Sequence, residues 1–428
     1  MPPLRRARPH LLALTPYTGG RGRRISRAQS DDDDDAGLTA LPDDVLFEIL
    51  PRVFSDADDV ARFAIASTCP GWSSFVATHA ATMCRVLPPT RFLPTLALGC
   101  FQQENDAGRC AWGRKRLAAS SSPQPRFFPA AAAMFDYAQP VASRNGRVVF
   151  ELRRDARGDG LTLVVSNPMN GDTAVLPSLT GSDCPGYYTC AILTGDDLDT
   201  PSRSTTDHHS FFRLLIIYNR PGFTAMRCYS SDAGSWGPEG RKPGRKILDH
   251  RLRRLGHAVV VGGVAYWPFH WEAFGVRLSN SNMDVCSVPY TYGGYWPDLR
   301  ILGVSPDGRE LRYIDVGFRG RSLVFSSVKT QFDDHGGQHD VHVKVPDLRP
   351  ARTTPIKLRW FGEKSGTVIF TTGDADGGVF AVNMAEGAVG RLADGTAEKL
   401  ADGGGYNACR NIYGYEMDRA SVFASLAD

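Results

Sequence analysis

Apolar residues recur along this chain with two different periods. From about residue 135 onward, short apolar runs of strand length are separated by turns bearing Gly, Asn or Pro. NGRVVFEL (145 to 152), GGVAYWPF (262 to 269), PDGRELRYID (306 to 315) and KSGTVIFTTG (364 to 373) each place a turn before a strand. VVSNPMNGDTAVLP, CYSSDAGSWGP and AVNMAEGAVGRL each set a strand, a turn at Gly171, Gly234 or Gly387, and a second strand in succession. Repeated hairpins leave exposed sheet edges unless the array closes, and a radial array of four-stranded blades closes it economically. The pattern therefore predicts a β-propeller-like domain over 135–428, with six or seven blades of degenerate spacing.

A helical period replaces this one near the N-terminus. In LPDDVLFEILPRV (41 to 53), Leu41, Val45, Leu46, Ile49, Leu50 and Val53 fall on one helical face. Pro42 suits a first turn, where its missing N–H costs nothing, and Asp43, Asp44 and Glu48 complement the helix dipole. Pro51 should end or kink this helix near Glu48 to Leu50. Val60, Phe63, Ala64 and Ile65 repeat the stripe behind the acids Asp56 to Asp59, and Trp72, Phe75 and Val76 supply a third helix. Three short helices over 38–86 make a bundle too small to hide all its aliphatic residues, so some should be buried against a partner helix or against the β domain. The expected fold is thus mainly β with a small N-terminal all-α module.

Composition agrees with that division. Of 428 residues, 42% are hydrophobic and 22% charged, which permits a large core and excludes disorder for the bulk of the chain. The 44 glycines and 28 prolines favour tight turns between short strands. The longest apolar runs are strand-sized, so no membrane partner is expected. The nine cysteines are odd in number and show no C-x-x-C pair, which fits a reducing compartment. Charge is uneven: the first thirty residues carry seven arginines and no acid, and the next thirty carry eleven acids against Arg52. Residues 1–37 read as a disordered basic and then acidic extension, with an organellar transit peptide or nuclear-import cluster as the alternative. The Pro-, Ser- and Ala-rich stretch 87–134 reads as linker or irregular surface.

Leu41-Pro42-Asp43-Asp44-Val45-Leu46, Glu48-Ile49-Leu50, Arg52-Val53 and then Cys69 three residues before Trp72 together resemble the F-box. Pro51 and Pro70 depart from its pattern. The turn SNPMNG, the stretch LRWFGEKSG (358 to 366) and YGYEMDRASVFASLA (413 to 427) resemble the propeller-like associated domains of plant F-box proteins, especially a group in grasses. The resemblance implies a substrate receptor of a cullin-RING ubiquitin ligase, cytoplasmic or nuclear. Leu41, Pro42, Val45, Leu46, Ile49, Leu50, Val53 and Trp72 would hold a Skp-type adaptor, and the β domain would hold a protein target. Two other assignments stay open: a propeller enzyme or carbohydrate-binding protein whose helices only resemble an F-box, and an F-box scaffold that does not direct degradation.

No catalytic constellation is legible, and neither a cofactor nor a metal is expected. His335, His339 and His342 lie near Asp333, Asp334 and Asp340 but read as a glycine-bearing loop followed by a strand, and GDADGG (373 to 378) reads as a hairpin turn. The basic stretch RKPGRKILDHRLRR (241 to 254) reads as a solvated inter-blade loop because stacking aromatics are missing from it, with nucleic acid, an acidic partner or nuclear import as the alternatives; no nucleic acid is expected as a partner. Trp236, Trp267, Trp271 and Trp296 read as blade core ahead of loop contacts. Tyr415, Met417, Val422, Phe423 and Leu426 are expected in a terminal helix.

Overall fold

The short apolar runs fold as antiparallel hairpins grouped into sheets. This computed structural model describes residues 44–45, 75–79, 92–105, 115–121, 138–152, 160–169, 171–197, 211–252, 255–269, 271–278, 283–290, 299–319, 322–330, 341–345, 356–372, 378–394 and 412–420. In chain order the first two strands are β1 (Ala97–Asn105) and β2 (Lys115–Ser121). Blade one holds β3 (Gln139–Arg144), β4 (Arg147–Glu151), β5 (Leu163–Ser166) and β6 (Thr173–Val175). Blade two holds β7 (Tyr188–Thr194), β8 (Phe212–Asn219) and β9 (Thr224–Ser230), with β10 (Ser235–Trp236) and β11 (Gly240–Arg241) both on β9. Blade three holds β12 (Val259–Val261), β13 (Val264–Pro268), β14 (Glu272–Leu278) and β15 (Met283–Pro289). Blade four holds β16 (Arg300–Val304), β17 (Leu311–Arg319), β18 (Ser322–Lys329) and β19 (Val341–Val345). Blade five holds β20 (Ile356–Phe361), β21 (Thr367–Thr372), β22 (Gly378–Asn383) and β23 (Val389–Asp394). The last strand, β24 (Tyr413–Glu416), joins a three-stranded sheet in the order β2-β1-β24.

These sheets form a β-propeller. The first strands of the blades are innermost: β3 lies against β7, β12 against β16, β16 against β20, β20 against β24, and β24 against β3. Apolar clusters follow the same circuit. Val149 and Leu163 meet Ile192 and Leu214 between blades one and two, and Leu215 and Ile217 meet Val260 and Trp267 between two and three. Ile301 and Tyr313 meet Leu358 and Phe370 between four and five. Cys100 and Ile412 meet Trp360 and Ile369, and Phe101 and Tyr415 meet Val148 and Phe150, which completes the circuit. Burial of both strand faces explains why interior strands such as LVVS, RILGV and TVIFTT are buried at every position, whereas the outermost β15 is fully buried at none.

The first and last strands meet in the closing sheet. β24 pairs antiparallel with β1, its Tyr415 hydroxyl donates to Gly146 O and to Asn167 Oδ1, and Gly146 N–H donates to Glu416 O at 3.0 Å. The β3–β4 turn accepts this grip because Asn145 (φ 45°) and Gly146 (φ 71°) take the two left-handed positions of a tight hairpin. A side chain at Gly146 would strike Asp418.

Several expectations change. Six or seven blades were expected, and the described residues form five blades of four or five strands beside the three-stranded sheet. Residues 87–134 are not only linker: β1 and β2 come from them, with pairing and the buried Cys100 and Phe101 supplying the order that their flanking Pro and Ser conceal. The expected terminal helix begins later than Tyr415: Tyr415 is in strand, Met417 follows it and donates its N–H to Leu96 O, and helix starts at Arg419 and Ala420; Val422, Phe423 and Leu426 lie outside the described residues. Residues 1–37 lie outside them as well. No helix among the described residues is long and apolar enough to cross a membrane.

Gly414 faces the Trp360 indole so closely that a Cβ would overlap the ring. Gly414→Ala is expected to lower the unfolding free energy by about 1–3 kcal/mol through overpacking. A urea midpoint equal to that of the native chain would show that the closing sheet lies outside the cooperative core.

Candidate functional site

Six segments following the innermost strands converge on one cavity of about 360 Å³. They are Asn145 of the β3–β4 turn, Gly195–Asp197 after β7, Gly262 and Gly263 between β12 and β13, Pro306–Gly308 between β16 and β17, Glu363 and Lys364 between β20 and β21, and Asp418–Ala420 after β24. Strands that run the same way around an axis must deliver these turns to the same end. The cavity is therefore the axial mouth of the propeller.

Its wall is built on Arg144, buried at the end of β3. The guanidinium grips Asp197 through two bonds, Nη1 to Oδ2 at 2.5 Å and Nη2 to Oδ1 at 2.8 Å, and its Nε donates to Glu363 Oε2 at 2.9 Å. Asp197 also accepts the Thr194 N–H, and Glu363 Oε1 accepts the Val260 N–H. One arginine thus joins blades one, two and five, and through Glu363 reaches blade three. Beside it Glu416, 1% exposed, accepts the N–H groups of Lys364 and Ser365, and Lys364 Nζ lies 3.5 Å from Asp196 and 3.8 Å from Asp418.

One guanidinium cannot neutralise two buried carboxylates. Burial pushes the Glu363 carboxyl up to about 7, with Asp197 adding to the rise and Arg144 opposing it. Burial by itself would lower Arg144, but Asp197 and Glu363 outweigh it and hold the guanidinium protonated. Burial, reinforced by Arg144, drives the nearby His257 imidazole down to about 3, so it stays neutral. Lys364 is lowered by burial and raised further by Asp418, Asp196 and Glu416, and it stays an ammonium.

Chemically, the mouth offers fixed charges. Both Glu363 oxygens are engaged, Lys364 holds its proton, and no Ser, Thr, Cys or His occurs among the described residues lining the cavity. Asn145, 2% exposed, donates through Nδ2 to Thr194 Oγ1 at 3.0 Å, and its Oδ1 has no partner among the described residues. The arrangement is suited to recognising a charged, hydrogen-bonding surface.

Of the residues expected to bind an adaptor, Val45 is helical and half-buried beside the exposed Asp44. Leu41, Pro42, Leu46, Ile49, Leu50, Val53 and Trp72 lie outside the described residues. Phe75 and Val76 belong to a helical segment, 75–79, in which Val76 is fully buried. Among the tryptophans, Trp267 is core, Trp236 is partly buried and donates to Pro177 O, Trp271 is 60% exposed, and Trp296 lies outside the described residues. His342 sits on β19 with Nδ1 2.8 Å from Ser326 Oγ; His335 and His339 lie outside the described residues. No metal-ligating group of three occurs among the described residues. The charges of the mouth were missed because each reads as an ordinary polar turn residue, although GEKSG, quoted for its family likeness, contributes Glu363 and Lys364.

The sequence matches no known family and no curated protein. Among solved structures, TolB from Acinetobacter baumannii aligns with a TM-score of 0.41 at 11% identity, over 79% of this chain and 70% of that one. AztD from Citrobacter koseri, in its apo form, aligns at 0.34 and 10% identity, over 74% of this chain and 98% of that one. A putative 6-phosphogluconolactonase from Bacteroides fragilis aligns at 0.32 and 11% identity, over 71% and 96%. The propeller assignment rests on the sheet order itself.

Two outcomes follow from the arginine. Arg144→Met strands two buried carboxylates and is expected to cost about 3–5 kcal/mol of stability, read by chemical denaturation. Glu363 titrates near 7 in the fold against 4.5 in the open chain, so the folded protein holds a proton that the unfolded chain releases between those values. Its contribution to stability is complete below the lower value and is lost as pH rises through the higher one, with a slope of up to about 1.4 kcal/mol per pH unit. Unfolding free energies of the native chain and Glu363→Gln, compared from about pH 4.5 to 8, should diverge accordingly; parallel curves would show that Glu363 does not titrate there.

Proposed function

We propose that this chain is the substrate-receptor subunit of a Skp-cullin-F-box ubiquitin ligase. Residues 38–86 dock the Skp-type adaptor, and the propeller recruits a protein target. The observation that carries the proposal is the order of the parts: the stripe Leu41, Val45, Leu46, Ile49 and Leu50, with Cys69 and Trp72 behind it, stands ahead of a β-propeller. The helical state of Asp44 and Val45 and the burial of Val76 are consistent with helices there. Each aliphatic anchor buried in the adaptor would contribute roughly 1.5–3 kcal/mol, so four or five suffice for a lasting complex.

In this reading the chain positions its target and the bond chemistry is done by other subunits, since proximity alone raises the effective concentration of the reacting groups. A mouth whose charges are locked in place suits that role, because a rigid surface loses little entropy on binding. We take the three-stranded sheet to be a sixth, closing blade, its inner strand supplied by β24 and its outer strands by β1 and β2. The free thiols Cys100, Cys184, Cys190, Cys228 and Cys286 fit residence in the cytoplasm or nucleus.

The full chain is expected to capture a Skp-type adaptor in a pull-down, and the double variant Leu46→Asp with Ile49→Asp is expected to lose it while keeping the native chain's melting temperature. Equal recovery by both chains, or by neither, would overturn the proposal.

A further inference from the structure

The segment that leaves β11 and enters the short helix Asp249–Leu252 lies against β14 and β15 and encloses a second cavity, of about 400 Å³, that shares no lining residue with the axial mouth. Four cations line it, Lys242, Arg245, Lys246 and Arg251, against one carboxylate, Glu272. Elsewhere among the described residues some arginines find acids, Arg144, Arg220, Arg227 and Arg300 in ion pairs, and others such as Arg213 and Arg277 do not. Here none of the four does. Lys242 Nζ donates to the carbonyls of Pro243 and Arg245, Lys246 Nζ donates to Pro221 O, and no carboxylate partner occurs for any of them among the described residues. Cations gathered around a concavity repel one another, and an anion entering it relieves the repulsion.

The floor narrows the choice of anion. Ile247 is buried, Leu248 is 41% exposed, and Phe269 and Phe274 contribute ring surface. Those rings are already faced by the protein's own cations, Arg251 at 5.7 Å from the Phe269 centroid and Lys242 at 5.9 Å from that of Phe274. They are thus not free to stack nucleobases, which a single-stranded nucleic acid would require. Apolar surface beneath a ring of positive charge fits carboxylates carried on a chain that also bears apolar side chains. Three consecutive residues of β15, Val285, Cys286 and Ser287, form one wall, and among the described residues β15 pairs with β14 alone. An edge strand of that kind offers backbone groups to an extended segment.

We propose that this cavity between blades two and three is a docking site for an extended acidic peptide segment of a partner protein, with carboxylates on Lys242, Arg245, Lys246 and Arg251 and an apolar side chain over Leu248. The inference does not depend on adaptor docking at the other end of the chain.

Fluorescence anisotropy of the full chain with a short fluorescein-labelled peptide alternating glutamate and leucine tests it. The peptide is expected to bind, and its glutamine counterpart is not. Lys246→Glu with Arg251→Glu is expected to weaken binding by about tenfold or more at low salt, and raising the salt should weaken it in the native chain. Arg309→Glu, an exposed charge on a different turn, should leave affinity unchanged. Arg245→Gln alone, which removes one charge without reversing it, should give a smaller loss and guards against misfolding of the double variant. Three results would overturn the proposal: no binding of the glutamate peptide, an affinity that survives the double reversal, or tighter binding of a labelled single-stranded DNA lost through the same variants.

Discussion

Closure of this ring depends on a single buried guanidinium. Arg144 holds Asp197 of blade two and Glu363 of blade five from its own place on blade one, so three sheets share one charge. Burying such groups is costly unless each is paired and hydrogen-bonded. That cost fixes the geometry: the six axial segments can come together only in the arrangement that satisfies Arg144, Asp197, Glu363 and the Glu416 carboxylate at once. β24 then fills the remaining gap, with Tyr415 and Glu416 gripping turns on both sides.

The two cavities of the propeller are consequently unlike. At the axial mouth Arg144 and Lys364 are held by carboxylates inside the fold, acids outnumber cations, and the surface presented there is stiff. Between blades two and three the cations remain unbalanced, beside a partly exposed leucine and an outer strand. Stiff surfaces of paired charges discriminate by shape and hydrogen-bond pattern, whereas unpaired cations attract at a distance and accelerate encounter.

Much of the strand and turn order is legible in the residues. Gly171, Gly234 and Gly387, read from the sequence as turn positions, all take positive φ between paired strands, because the hairpin twist demands it. The NG pair at 145–146 behaves likewise. Less legible was the part of 97–121 that pairs with the chain's other end. Strands whose partner lies some three hundred residues away leave no local period to read when Pro and Ser surround them, and the four residues of β24 are shorter than any periodicity that could identify them.

The sequence by itself determined that this is a protein of repeated hairpins with a helical stripe ahead of them, since alternation, turn residues and helical spacing are local properties of neighbouring side chains. Which charges meet was decided only by the tertiary structure. Arg144, Asp197, Glu363 and Asp418 stand in four separate segments with nothing in their own surroundings to mark them, and Lys246 and Arg251 look like any solvated basic loop. Their roles come from the distances that closure of the ring imposes, and electrostatic energy depends on those distances, not on position along the chain.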